Sequence, residues 1–250
     1  MAIPKSVISI GNEAFIGCSG ITSLVVEEGN NIYDSRNNCN AIIETHSNTL
    51  IKGCDRSFIP TNVTTIGEYA FQKCSGLTLI NIPESVTNIE NGAFAGCSGL
   101  ISVDIPNSVT SIGHNAFFGC RGLTSLTLGS KVSTIGGTAF VYSTDYYYWP
   151  LLSSITSITS LNPIPPVLGE NAFAQQGKTT LKVPIGSKES YQNAEGWKNF
   201  KNIIEIDPSG IQAITLEKKA YAPVYDLNGR KIKEPNRGIH IVGGKKVVVK

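Results

Sequence analysis

The sequence predicts a mostly β leucine-rich-repeat solenoid: coils of about 23 residues stacked side by side, followed by a small all-β module at the C-terminus. Three observations predict it. An Ala-Phe pair recurs at Ala14-Phe15, Ala70-Phe71, Ala93-Phe94, Ala116-Phe117, Ala139-Phe140 and Ala172-Phe173, and the phenylalanine numbers rise in steps of 56, 23, 23, 23 and 33. A fixed period of this length is the signature of a repeat architecture, and the first step holds one ordinary unit plus one expanded to about 33 residues. The phrase around the pair also returns, Asn107-Ser108-Val109-Thr110-Ser111-Ile112-Gly113 repeating Glu84-Ser85-Val86-Thr87-Asn88-Ile89-Glu90. Finally, each pair is followed by an L-x-x-L-x-L segment: Leu123-Thr124-Ser125-Leu126-Thr127-Leu128, then in other units Leu100-Ile101-Ser102-Val103-Asp104-Ile105 and Leu77-Thr78-Leu79-Ile80-Asn81-Ile82.

Within a unit, L-x-x-L-x-L reads as a short strand with its aliphatics inward, because alternate side chains point to opposite faces. The Val-x-x-Ile step before Ala-Phe supplies a second extended segment, and Ala-Phe-x-Gly-Cys a short helical or 3₁₀ turn with Phe as the large core residue. Gly96, Gly119, Pro60, Pro83 and Pro106 mark the corners. One coil cannot bury its own apolar side, but a stack of them forms a continuous core. Composition agrees. Charged residues are 16% and hydrophobic residues 41% of the chain, Gly and Pro together number 37 of 250, and mean hydropathy is near zero. These values exclude a disordered or collagen-like chain. No apolar run approaches the ~18 residues of a membrane helix. Ile3-Pro4 recurs as Ile82-Pro83 and Ile105-Pro106, so the sequence starts inside the repeat pattern. No secretory leader is expected in it, and the start reads as a boundary within a larger protein.

These units resemble the BspA-type leucine-rich repeats of surface proteins from Bacteroides and related bacteria, and the resemblance covers roughly residues 3–206. The stretch from Ile32-Tyr33-Asp34 through Asn40-Ala41-Ile42-Ile43-Glu44-Thr45 is similar to an expanded unit of that family. Val183-Pro184 through Tyr191, Trp197 and Phe200 resembles the closing helix and cap of such arrays, placed at about residues 186–206. As physics, Tyr191, Trp197 and Phe200 can cover the last coil's open core. The resemblance implies a cell-surface or secreted binding protein that adheres to host extracellular-matrix proteins or to other bacteria; the alternatives are a glycan-binding module supporting polysaccharide capture and a structural spacer that presents other domains.

The character changes at Asp207-Pro208-Ser209-Gly210. Residues 217–250 carry nine Lys/Arg against three carboxylates, a net +6, which leaves −4 on the rest. Tyr225 to Ile232 surrounds Asn228-Gly229, and Ile239 to Val247 surrounds Gly243-Gly244; both are hairpin signals. Residues 207–250 therefore read as a separate β-rich module. It resembles the C-terminal modules of Bacteroidetes exported proteins, including the type IX sorting domain. Tyr221 and Tyr225 are its aromatics and no nucleic-acid motif accompanies them, so the lysines read as a solvated edge that discourages strand-to-strand pairing.

Sequence features that could carry chemistry are few. Cys18, Cys74, Cys97 and Cys120 occupy one repeat position and read as a column of small buried hydrophobes; no CxxC pair suggests zinc. Cys39 and Cys54 are a candidate disulfide. A hairpin centred between His46 and Ser47 pairs residue 43 with 50, 41 with 52 and 39 with 54, facing the thiols across the strands within bonding range. Export favours oxidation, and a one-residue slip would break the pairing. His46, His114 and His240 form no ligand-spaced pair, and no nucleophile elbow, phosphate loop or dinucleotide fingerprint occurs. Neither enzymatic activity nor a metal or other cofactor is expected. Two features suggest binding. Tyr142, Tyr146, Tyr147, Tyr148 and Trp149 lie where ten residues interrupt the array; such a cluster is a contact site for protein or glycan, or it packs over the neighbouring coil. Thr124, Ser125 and Thr127 stand for a polar strand face with which solenoids bind protein. The expected partners are host or bacterial surface proteins and glycans, with no nucleic acid and no membrane span.

Overall fold

Parallel strands from successive units build two sheets, one over residues 102–206 and one that opens with antiparallel strands at 33–52 and continues in parallel to 168. A computed structural model describes residues 1–11, 13–18, 20–143 and 150–207, and the backbone of the strands between 212 and 249. The L-x-x-L-x-L segments give a five-stranded parallel sheet from Ser102–Asp104, Ser125–Leu128, Ser157–Ser160, Thr180–Pro184 and Asn202–Ile206. Their inward residues Val103, Leu126, Ile158, Leu181 and Ile203 are buried. The Val-x-x-Ile steps give the second sheet, in which Thr65, Asn88, Ser111, Thr134 and Val167 stand in parallel register. Residues 77–82 keep the inward pattern, with Leu77, Ile80 and Ile82 buried, but are not a strand. The preceding unit is shortened between Cys54 and Pro60, which leaves this segment no full partner on that side.

The predicted helical turn at Ala-Phe is a correction. It is a chain of hydrogen-bonded turns with no helix, and from the second pair on the residue before it is left-handed: Tyr69, Gly92, Asn115, Thr138 and Asn171 have φ of 53–59°. A helix cannot pass through such a residue. Backbone N–H groups point along the stack instead: Phe71 to Ala93 O at 2.7 Å, Phe94 to Ala116 O at 2.7 Å, Phe117 to Ala139 O at 2.9 Å and Phe140 to Ala172 O at 2.9 Å. The coils are thus stitched together at the turns as well as in the sheets. Coil spacing also fixes the core, where the rings of Phe71, Phe94, Phe117, Phe140 and Phe173 stack with centroids 5.0–5.1 Å apart and planes within 9°. Parallel planes at that centroid distance are offset stacks, a favoured aromatic geometry. The thiols of Cys97 and Cys120 donate to Phe71 O at 3.1 Å and Phe94 O at 3.2 Å, and both are buried with Cys74. Burial pushes the Cys74 thiol up to about 12, which keeps it protonated.

The two expanded units place their additions differently: the hairpin of the first joins the second sheet and the main core, whereas the second holds its stem outside the ring stack. Phe140 and Phe173 stack like the others although a longer stretch of chain separates them, because the extra chain leaves as an antiparallel stem, Tyr142–Ser143 against Leu151–Leu152. In the first expanded unit, Ile42–Glu44 and Thr49–Lys52 form the expected hairpin, with Ile43 opposite Leu50. A bulge then sets Ile42, rather than residue 41, opposite Lys52. That extra residue sends the two cysteines to different places: Cys39 packs in the main core, and Cys54 in a second cluster with Ile3, Leu24, Val26, Tyr33 and Ile42. Both are free thiols, so the structure does not make the candidate Cys39–Cys54 disulfide. Cys18 departs from the expected column too and is exposed, since Phe15 of its unit packs against the second cluster and not in the ring stack.

Lys52 is 2% exposed and its Nζ has no hydrogen-bond partner. Burial holds its pKa below the 10.5 of a free lysine, with the neighbouring Cys74 opposing. At the other end of the stack, helix Lys188–Asn193 and the 3₁₀ turn Trp197–Asn199 lay Tyr191, Trp197 and Phe200 over the last coil. Trp197 and Phe200 meet Phe173 at 5.5 and 5.8 Å between centroids, turned out of the stacking plane. Their polar atoms are satisfied: Trp197 Nε1 donates to Pro166 O, and Tyr191 Oη donates to Asn162 O and lies 2.7 Å from Ser160 Oγ. Toward the C-terminus, Gly238–Val242 and Lys245–Val249 pair around Gly243-Gly244, and Val224–Tyr225 pairs with Lys231–Ile232, as the hairpin signals predict. With Gln212–Ala213 these strands form a five-stranded sheet. No described helix is long and apolar enough to cross a membrane.

Three outcomes follow from this packing. Phe94→Ala, at the middle of the ring stack, should cost about 3–5 kcal/mol in guanidinium unfolding. In the native protein, iodoacetamide should alkylate Cys18 rapidly and the five buried thiols slowly. All six should react once the chain is denatured without reductant; only four reactive thiols would mean a disulfide. Lys52→Met should stabilise the fold by about 1–3 kcal/mol, by removing a buried amine without a partner. Between its lowered folded pKa and 10.5 the folded state binds fewer protons than the unfolded one, so in that window wild-type stability gains from this group as pH rises. The advantage of Lys52→Met should therefore narrow toward pH 10.5, and a pH-independent difference would contradict the assignment.

Candidate binding surfaces

The five-stranded sheet turns two regular columns outward. One is Ser102, Ser125, Ser157, Thr180 and Asn202; the other is Asp104, Thr127, Thr159, Lys182 and Ile204. Side chains in a column stand one strand spacing apart, ~4.8 Å. Charge is limited to Asp104 and Lys182, and most of the rest are short hydroxyl or amide side chains. Of the residues singled out in the sequence, Ser125 and Thr127 lie in these columns, with Ser125 exposed and Thr127 half-buried. Thr124 is exposed beside them, but its Oγ1 donates to Ile101 O of the neighbouring coil at 3.3 Å and Thr156 repeats the contact onto Thr124 O. Its hydroxyl therefore belongs to the stack as much as to the surface.

Tyr142 begins the stem of the second insertion. Its half-buried ring lies under the guanidinium of Arg121, 5.6 Å from the centroid, and Arg121 also donates to Ser143 O at 2.9 Å. A cation over a ring face adds roughly 0.5–1 kcal/mol at exposed positions, which helps to hold the stem on the preceding coil. Tyr146, Tyr147, Tyr148 and Trp149 lie outside the described residues.

Sequence reasoning passed over a third surface. On the turn side of the coils lies a cleft of about 640 Å³ whose walls include Tyr69, Gln72, Asn115 and Phe118, with His114, Thr138 and Glu170 along it. These are the residues just before and just after the Ala-Phe pairs. They vary from unit to unit, so no repeated motif announces them; the departure of Gly92 and Ala95 from larger neighbours is the only signal in the sequence. Thr138 and Tyr69 are left-handed, as are Gly92, Asn115 and Asn171 at the same position of the other coils. The side chains with displaced pKa values are mostly interior: Cys39 and Cys74 are raised by burial, Cys97 by its contact with Cys120 and then by burial, and Tyr191 is pushed up to about 12 by burial. They serve packing. Among the described residues no group of three His, Cys, Asp or Glu is placed to hold a metal ion. Hydroxyls, amides and aromatic faces are what these surfaces offer chemically.

Known proteins place this arrangement. The model of the BspA-type leucine-rich-repeat region matches residues 1–52 and 53–176 in six copies. No curated protein matches the chain. Among solved structures, the pneumococcal vaccine antigen PcpA has the same fold, with a TM-score of 0.59 at 20% identity over 82% of this chain and 55% of its own. A leucine-rich-repeat protein from Eubacterium ventriosum aligns with a TM-score of 0.47 at 19% identity, over 91% of this chain and 62% of its own. A leucine-rich cell-surface protein from Faecalibacterium prausnitzii aligns with a TM-score of 0.42 at 26% identity, over 62% of this chain and 51% of its own. The chain thus spans between about half and three-fifths of the length of these proteins. Since the repeat model accounts for well over half of its 250 residues, the chain belongs to the BspA-type leucine-rich-repeat family.

Proposed function

We propose that this chain is a non-catalytic binding protein, secreted or held at the cell surface, that adheres to host extracellular-matrix proteins or to other cells. The observation that carries the reading is the outward face of the five-stranded sheet, with its columns from Ser102 to Asn202 and from Asp104 to Lys182. Stacked coils hold these side chains in fixed register. Ser and Thr lose little rotamer freedom on contact, so a partner meets a preordered polar surface. Each contact is weak, and affinity comes from area and from several copies acting together. Solenoids of this kind use extended faces rather than single deep pockets. The C-terminal sheet within 212–249 fits an export or anchoring role, in line with the sequence resemblance.

The test is biolayer interferometry of the whole chain against fibronectin, fibrinogen, laminin and collagen. A Ser125→Arg, Thr127→Arg variant serves as comparison, because both changes point outward and leave the core untouched. Saturable binding to at least one protein, weakened about tenfold or more by the double substitution, a loss of roughly 1.4 kcal/mol, is the expected result. Binding that the variant retains in full would move the site off this face.

A further inference from the structure

We propose that Asn91 is a site of spontaneous covalent modification, deamidation through a cyclic imide, which the coil stack holds in check and which opening of the coil at 84–106 releases. This site is independent of the binding reading above. Asn91 is followed by Gly92, and glycine has no side chain to hinder attack by its own backbone nitrogen on the amide before it. At the same place the neighbouring coils carry Glu68-Tyr69, His114-Asn115, Gly137-Thr138 and Glu170-Asn171, none of which sets a side-chain amide before a glycine. The turn cannot shed this hazard by changing the glycine. Gly92 has φ of +59°, and a Cβ there would meet Cδ1 and Cε1 of the Tyr69 ring at 2.4 Å.

The reaction balances with water as its one co-reactant. The Gly92 nitrogen gives up its hydrogen and bonds to Asn91 Cγ; the Cγ–Nδ2 bond breaks, and the amide nitrogen leaves as ammonia. Water then opens the imide at either carbonyl, which yields aspartate or isoaspartate. In the folded coil the reacting groups are already tied. Gly92 N donates to His114 O at 2.8 Å, which engages the hydrogen that must be lost. Asn91 Oδ1 accepts from His114 N at 2.9 Å, and Asn91 Nδ2 donates to Glu68 Oε1 at 3.3 Å. Asn91 thus bridges the coils before and after its own. Bringing Cγ onto the Gly92 nitrogen requires these bonds to part together, so the reaction runs from the opened coil and its rate follows the population of that state. The product does not restore the contacts. Aspartate sets a second carboxylate beside Glu68 where an amide donor stood, and isoaspartate adds an atom to the main chain of a coil whose pitch its neighbours fix. A modified coil recloses less well, which makes the change a one-way record of opening.

Peptide mapping that separates the asparagine, aspartate and isoaspartate forms of residue 91 tests this, on the whole chain held in mildly alkaline buffer with and without guanidinium. Asn228-Gly229, the other such step in the sequence, is followed in its own peptide. The expected result is ready conversion at Asn91 in guanidinium and conversion at least about a hundredfold slower in the native chain. Phe94→Ala weakens the core of the same coil and should raise the native rate about tenfold or more, while the rate in guanidinium stays unchanged. Phe94→Leu serves if the alanine variant does not fold. Equal rates in the native and unfolded chain, no conversion in guanidinium, or a native rate that neither Phe94 variant alters would overturn the assignment.

Discussion

Each position in this solenoid stands on the same position of the neighbouring coil, and the backbone sets the distance between them. Parallel ladders place adjacent strands ~4.8 Å apart, and the core rings repeat at 5.0–5.1 Å. A residue is acceptable in this fold only if it can lie against its own counterpart at that spacing. Phenylalanine satisfies this by offset stacking. Cysteine satisfies it by handing its thiol hydrogen to a backbone carbonyl one coil back. Threonine and serine at 64, 87, 110 and 133 satisfy it by bonding to the carbonyl of the coil before. At tight corners only glycine fits: a Cβ at Gly129 would come within 2.2 Å of Pro106 O, and one at Gly136 within 2.4 Å of His114 N.

The same constraint explains where variation is allowed and hence where function can sit. Additions to a unit must leave the coil and return to it without changing its pitch. The stem at Tyr142–Ser143 does so, and Phe140 and Phe173 keep their stack across it. Outward columns are free of core demands beyond strand geometry, so the sheet face can carry Asp104, Thr127, Thr159 and Lys182 in successive coils. The residues around Ala-Phe are likewise free to differ in size, and a small pair between larger ones opens a cleft. Binding surfaces in this molecule are thus by-products of a rigid period, formed wherever the period leaves side chains unconstrained.

The period, the two extended segments and the phenylalanine core were legible in the sequence, because a column that repeats in space must repeat in the text. Tyr191, Trp197 and Phe200 were legible as a cover for the last coil, since large apolar residues outside the repeat have few other uses. What escaped depends on backbone conformation and not on residue type. Tyr69 and Thr138 take a left-handed φ that nothing in their chemistry announces, and this turned an expected helix into stitched turns. One bulge at Ile42 and Ile43 separated Cys39 from Cys54, as a single-residue shift in a strand moves every following side chain to the other face. The cleft escaped because its residues differ from unit to unit, and a search for repetition passes over them.

The claim that column-on-column stacking governs the fold can be tested by changing the number of coils. Removing residues 84–106 takes out one whole period and joins Pro83 to Asn107, in place of the native Pro83-Glu84 junction. Removing residues 84–103 takes out nearly the same mass but breaks the register. In a Trp149→Phe background only Trp197 fluoresces, and its emission reports whether the cap remains closed over the last ring. The account predicts that the whole-period deletion keeps a blue-shifted emission and cooperative unfolding, whereas the shorter deletion shifts the emission to the red. Equal behaviour of the two, or unfolding on removal of the whole period, would contradict it.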